Sequence, residues 1–250
     1  MNVLLIAFVL ITLVNILAYL WAYSNQSDHL TDISYSACFI FVALYFLYAF
    51  GSLSTGRVML TLMIILWGLR LGGFLFYRIN TMGKDERFDS FRSSRTGFLK
   101  FWLLQSISIW IISLPLMLGL TKVDLGFSTI FFLIWLIGFV IESVADYQKF
   151  SFRQHTSDKL QFIATGLYKH IRHPNYLGEI LCWIGVFGYV SASLVGLEWL
   201  SIISPMWVII LLVSISGIPL IEVANSTKYR NNIAFDTYTK QSWRLLPYIY

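Results

Sequence analysis

Charge is what this sequence has least of. Only 12% of its 250 residues are Asp, Glu, Lys or Arg, while 57% are hydrophobic; an average soluble domain has roughly 25% charged residues. That shortage excludes an ordinary water-soluble globule. It reads instead as an integral membrane protein surrounded by membrane lipid, and no nucleic-acid partner is expected. Cysteine is scarce too: Cys38 and Cys182 both fall inside apolar stretches, which argues for packing residues and against a disulfide framework. No G-x-G-x-x-G follows a strand-like run, so a soluble dinucleotide cradle is excluded. No Pro- or Ser-rich linker, charge block or internal repeat divides the chain, and residues 1–250 read as a single membrane domain. The first apolar run has no basic residue ahead of it and ends in WAYSNQS, without a small-x-small cleavage site, so it reads as a span and not as a removed signal peptide.

What is present is a series of apolar stretches near 3–23, 33–50, 57–79, 98–120, 127–147, 177–195 and 199–222. Each is about the 17 to 25 residues that a bilayer requires. The expected fold is therefore all-α, with about seven transmembrane helices. Of 18 basic residues, six lie between Arg78 and Lys100, five between Lys149 and Arg172, and four between Lys228 and Arg244; Arg57 and Lys122 stand on the other faces. Basic segments stay cytoplasmic. These three follow the third, fifth and seventh stretches, so the N-terminus is expected outside, the C-terminus in the cytoplasm, and the polar chemistry on the cytoplasmic side.

Some polar residues interrupt this pattern. Arg70, in WGLRLGGFLFYRI, is a charge within the third stretch, and it reads equally as a functional residue or as one that snorkels or pairs structurally. Gly68 and Gly72 beside it form a GxxxG that permits close helix contact. The segment MGKDERFDSFRSSRTG (82–97) and the tail from Asn225 mix bases with aromatics, as a lid or surface anchor would.

The densest chemistry lies in SVADYQKFSFRQH (143–155) and GLYKHIRHPNYLGE (166–179). Asp146, Lys149 and Arg153 recur at helical spacing, so on a helix continuing out of the fifth stretch they share one face. Ion pairs at such spacing also decorate ordinary helix ends. In the second segment Gly166 permits a tight turn, and Pro174 suits a first helical position with His173 or Asn175 near the cap. A helix start flanked by Lys169, His170, Arg172 and His173 is suited to an anion, because free N–H groups, the dipole and the cations act together. His170, His173 and Glu179 do not read as a metal site: a proline and a helix start intervene, and no third soft ligand is near.

These residues resemble the C-terminal pattern of the steroid 5-alpha-reductase family and its bacterial relatives, which are membrane reductases. The resemblance rests on GLYKHIRHPNYLGEILCWIGVFG and extends to WGLRLGG with the GKDERF loop, to ESVADYQKFSFR, and to GIPLIE, KY and LLPYIY. It covers nearly the whole chain from Asp32. The RHPNY element alone is similar also to isoprenylcysteine carboxyl methyltransferases and to sterol reductases. The resemblance implies seven spans, a bacterial inner-membrane location and NADPH as cofactor, bound mainly by residues 78–250. It implies that Asp146, Arg153, Asn175, Glu179 and Tyr229 surround the dinucleotide, with Arg172, His173 and Tyr176 beside them. The physical reading agrees in sign, because the three phosphates of NADPH need several cations, and Arg78, Arg87, Arg92, Arg153 and Arg172 are available on the basic face.

That family holds its substrate carbonyl with a Gln-Glu-Leu-Pro segment and a tyrosine, and this sequence has no such tetrapeptide. Asp32 and Tyr35, in LTDISYSACF, stand at a comparable depth as an acid pair for polarising a carbonyl oxygen, and Tyr77 is a further donor. Each also has an ordinary reading, as a helix cap or an interfacial tyrosine. The expected activity is NADPH-dependent hydride transfer to an activated C=C bond of a lipophilic small molecule: a steroid, a sterol or an enoyl lipid. The alternatives are an S-adenosylmethionine-dependent methyltransferase and a non-catalytic lipid- or nucleotide-binding membrane protein.

Overall fold

The computed structural model describes residues 3–25, 27, 29–51, 53–82, 95–156, 158 and 160–246. Among the described residues the regular secondary structure is helical, apart from one isolated parallel bridge, Ile171 to Trp243. The helices are α1 (Val3–Ser24), α2 (His29–Ala49), α3 (Thr55–Met82), α4 (Arg95–Ile112), α5 (Leu114–Leu120), α6 (Thr129–His155), α7 (Pro174–Ser191), α8 (Ile203–Ile210), α9 (Ile218–Lys228) and α10 (Ile233–Gln241). Tight 3-10 turns cover Gly166–Lys169 and Gly196–Ile202, and a π turn covers Leu211–Ile215.

Among the described residues, five helical segments are long and apolar enough to cross a membrane, or six if the bent pair Thr96–Ile112 and Leu114–Leu120 forms one span. The chain is a multi-pass integral membrane protein. The difference from the expected seven has local causes. The stretch expected at 177–195 is the 18-residue α7, which opens on PNYLGE and so has less apolar length than the roughly 20 residues a bilayer core needs. The stretch at 98–120 bends by 43°. Pro115, in the first turn of α5, has no N–H to donate back into α4, and its ring clashes with the carbonyl four residues earlier. The last stretch is itself one of the five, as Gly196–Lys228, with Gly217 and Pro219 flanking Ile218 where α9 begins.

The described residues group into two compact units: Met1–Ser128 with Val186–Ser204, and Thr129–Gly185 with Pro205–Tyr250. In the first, α1 buries Ala7, Ile11, Asn15, Tyr19 and Ala22 at spacings of three and four, while Leu5, Val9, Leu13, Leu17 and Leu20 remain exposed on its other face for lipid. Polar side chains join the helices within this apolar surrounding. Gln105 Nε2 donates to Asn15 Oδ1 (2.8 Å), Ser34 Oγ (3.2 Å) and the Thr31 carbonyl (3.3 Å), so α1, α2 and α4 share one network. Asn15 completes it by donating to the Ile11 carbonyl and to Cys38 Sγ. Cys38 and Cys182 are both free and buried, as expected of packing residues. The GxxxG of α3 lies against α2: a Cβ on Gly68 would stand 2.8 Å from Ile40 Cγ1, and one on Gly72 would meet Ser36 Oγ.

The two basic residues that stood apart from the basic segments have structural partners. Arg57 is fully buried and donates to the Phe46, Leu47 and Phe50 carbonyls at 3.2 to 3.3 Å, closing the C-terminal end of α2, where a helix runs out of backbone donors. Lys122 Nζ bonds both carboxylate oxygens of Glu198 at 2.8 and 2.7 Å.

In the second unit, α6 and the first part of α7 meet backbone to backbone. A Cβ on Gly178 would stand 2.6 Å from the Glu142 nitrogen and 2.7 Å from the Gly138 carbonyl oxygen, and one on Gly185 would stand 2.7 Å from Trp135. Because these neighbours are main-chain atoms, they have no rotamer with which to yield. Gly178→Val is expected to destabilise the protein by about 3 kcal/mol, the upper range for overpacking. Thermal unfolding of the detergent-solubilised variant at the wild-type temperature would contradict the contact.

Candidate functional site

The second unit contains a centre built around Glu222, on α9. Arg172 Nη1 donates to both Glu222 oxygens (3.2 and 3.1 Å), His173 donates from Nε2 to Oε1 (3.1 Å), and Arg244 Nε lies 4.0 Å from Oε2. Bonds of this kind between ionised partners are the stronger class of hydrogen bond. The backbone holds the same residues in register: Arg172 N–H donates to the Trp243 carbonyl, His173 N–H to the Arg244 carbonyl, and Trp243 N–H to the His170 carbonyl, at 2.8 to 3.1 Å. The tail near 243–244 is thereby fixed to the loop that leads into α7.

The loop itself forms for local reasons. Gly166 takes φ +60°, a conformation that suits glycine. Gln148 on α6 touches it, and Gln148 Oε1 accepts from the Leu167 N–H at 3.0 Å. Pro174 then opens α7 as the sequence predicts. His173 is buried, and burial first, then Lys149 and Arg172, lower its pKa against the raising effect of Glu222. Tyr176 stacks on it, with ring centroids 5.7 Å apart.

Tyr168, within the 3-10 turn, is 2% exposed. Burial raises its pKa first, followed by the charges of Asp146, Tyr176 and Tyr238. Tyr238 donates its hydroxyl to the Tyr168 carbonyl (2.7 Å), and burial pushes its own pKa up to about 12. Two donors here are buried with no hydrogen-bond partner among the described residues: the Tyr168 hydroxyl and Arg172 Nε. A buried donor without an acceptor costs about 1 to 3 kcal/mol. An acceptor that reached either donor would remove that donor's cost.

The residues expected around a dinucleotide gather in this unit. Asp146, Lys149 and Arg153 lie on α6, which runs to His155, and Asn175, Tyr176 and Glu179 lie in the first turns of α7. Tyr229 is buried, donates to the Gln161 carbonyl (3.2 Å) and accepts from Arg153 Nη2 at 3.5 Å. The remaining candidates belong to the first unit. Asp32, in the first turn of α2, lies 3.9 Å from Arg78 Nη2. Tyr35 packs edge-on against Phe39 and Trp67, with centroids 5.1 and 6.4 Å apart. Tyr77 is 57% exposed and Arg70 half-buried. Arg87 and Arg92, with most of the 82–97 segment, lie outside the described residues.

Glu222 is the functional candidate that sequence reasoning missed. It was visible as the lone acid in the apolar run ISGIPLIEVA, and an ionisable residue in such a run is a site candidate by default. Glu142, buried on α6 one turn before Asp146, carries the same signal.

A family model described as "Protein of unknown function (DUF1295)" matches residues 18–242, and the chain belongs to that family. No curated protein and no solved structure matches it.

Proposed function

Starting from membership of DUF1295, we propose that this protein is an NADPH-dependent membrane reductase that transfers hydride to an activated C=C bond of a lipophilic steroid, sterol or enoyl lipid. The observation that carries this reading is the buried Nε of Arg172, which has no acceptor among the described residues, on the same loop as the unpartnered Tyr168 hydroxyl. Buried donors of that kind suit a phosphate. Adenosylmethionine, with a sulfonium and no phosphate, has less use for them.

NADPH, when bound, supplies the hydride. Arg153 and Arg172 would neutralise phosphate oxygens. Asn175, Tyr176 and Tyr229 would orient the nucleotide through amide and phenol groups, and Asp146 and Glu179 would accept from its hydroxyls. Glu222 keeps Arg172 and His173 in place before any ligand arrives. Asp32 and Tyr35 would polarise the substrate oxygen, and the Arg78 charge beside Asp32 would stabilise negative charge developing there. In this reading the basic segments face the cytoplasm, where the cofactor is available.

The test is binding. Replacing Arg153 or Arg172 with alanine should weaken NADPH affinity by about 1.5 to 3 kcal/mol per lost charge-assisted contact. Titration calorimetry on purified, monodisperse variants reads this directly. Unchanged affinity would return both arginines to structural roles.

A further inference from the structure

Where the last membrane-crossing segment, Gly196–Lys228, ends, the chain turns back on itself through Asn231, whose φ is +66°, and starts α10 at Ile233. The turn encloses a cleft of about 500 Å³ whose lining includes Lys228, Arg230, Asn231, Asn232, Leu160 and Ile233. Three features of this cleft point the same way. First, it has positive charge without a protein counter-ion: neither Lys228 nor Arg230 makes an ion pair among the described residues, and Lys228 rests over the Tyr229 ring at 5.2 Å. Second, it has amide groups to spare, because Asn232 uses only its carbonyl oxygen, accepting from the Phe235 N–H at 3.1 Å.

The third feature is apolar exposure beside the end of the Gly196–Lys228 span. Ile233 is 81% and Leu160 57% exposed at the rim. On α9, Leu220 and Val223 are also exposed, and they share a helix face with Thr227, one residue before Lys228. In water such a run would be unfavourable, but at the end of a membrane span it lies where acyl chains meet headgroups.

We propose that this cleft binds one anionic phospholipid, its phosphate between Lys228, Arg230 and the asparagine amides and its acyl chains along Ile233, Leu160 and the exposed face of α9. Tyr229, which the nucleotide reading also uses, lines the cleft as well, so competition with NADPH distinguishes the two ligands. A zwitterionic lipid presents the same chains but no net charge, so charge complementarity decides for the anionic one. Each basic residue near such a surface contributes about a fivefold factor in affinity, so removing both should weaken binding about thirtyfold.

The experiment is native mass spectrometry of the detergent-solubilised full chain titrated with dioleoylphosphatidylglycerol or dioleoylphosphatidylcholine. The expected result is a single phosphatidylglycerol adduct that outcompetes phosphatidylcholine, weakened about thirtyfold in Lys228→Gln/Arg230→Gln and unchanged in Lys100→Gln/Lys240→Gln, which removes the same charge elsewhere. Equal binding of the two lipids, or an equal loss in both double variants, would overturn the proposal. Displacement of the lipid by millimolar sodium phosphate or by NADPH would also overturn it, assigning the cleft to free phosphate or to nucleotide.

Discussion

Glu222→Ala is expected to destabilise the protein by about 2 to 3 kcal/mol, below the roughly 3 to 5 kcal/mol of breaking a fully buried ion pair, because Glu222 is 27% exposed. The carboxylate accepts from Arg172 and His173, whose side chains are only 14% and 5% exposed. Its removal leaves a buried guanidinium and imidazole facing a cavity. The loss also reaches the backbone, because Arg172, His173 and Arg244 anchor the loop and tail joined by the bridge from Ile171 to Trp243. Glu222→Gln retains the shape and one acceptor oxygen, so it should cost less than half as much. Thermal unfolding in detergent compares the three proteins, and an alanine variant that unfolds with the wild type would remove Glu222 from the centre of this unit.

Asp32→Asn should lower turnover on a lipophilic enone by roughly a hundredfold or more, the usual scale for losing a positioned general acid. NADPH binding should be nearly unchanged, because polarising the acceptor oxygen stabilises charge that develops only as hydride transfers. The fold should survive the substitution: asparagine is tolerated near a helix N-terminus, and its carbonyl still offers Arg78 an acceptor. Loss of NADPH oxidation with cofactor affinity retained is the signature to seek. Near-normal turnover in Asp32→Asn would eliminate this assignment and shift attention to Tyr77, exposed one residue before Arg78.

Local chemistry was legible in the sequence wherever one or two residues decide the conformation. Pro174 begins α7, Gly166 takes a left-handed turn, and the charged face of Asp146, Lys149 and Arg153 continues as helix beyond the fifth apolar stretch. The Gly68 and Gly72 pair lies against α2, as its spacing allows. Features set by distant partners were not legible. The pairing of residues 170–173 with 243–244 has no local signal, because it satisfies backbone groups some 70 residues apart with side chains that alternate in no clear pattern. Arg57 read as a charge on the wrong face, and only the end of α2 explains it. Hydropathy showed the apolar stretch at 98–120, but Pro115 determined that it bends.

If the loop entering α7 holds the phosphates of NADPH, the nucleotide should travel with the protein through purification. The most direct measurement is identification, by mass spectrometry, of the nucleotide that copurifies with the detergent-solubilised wild-type protein, alongside the same preparation of Arg172→Ala. NADPH or NADP⁺ in the wild type, lost from the variant, is the predicted result, and adenosylhomocysteine in its place would contradict the account.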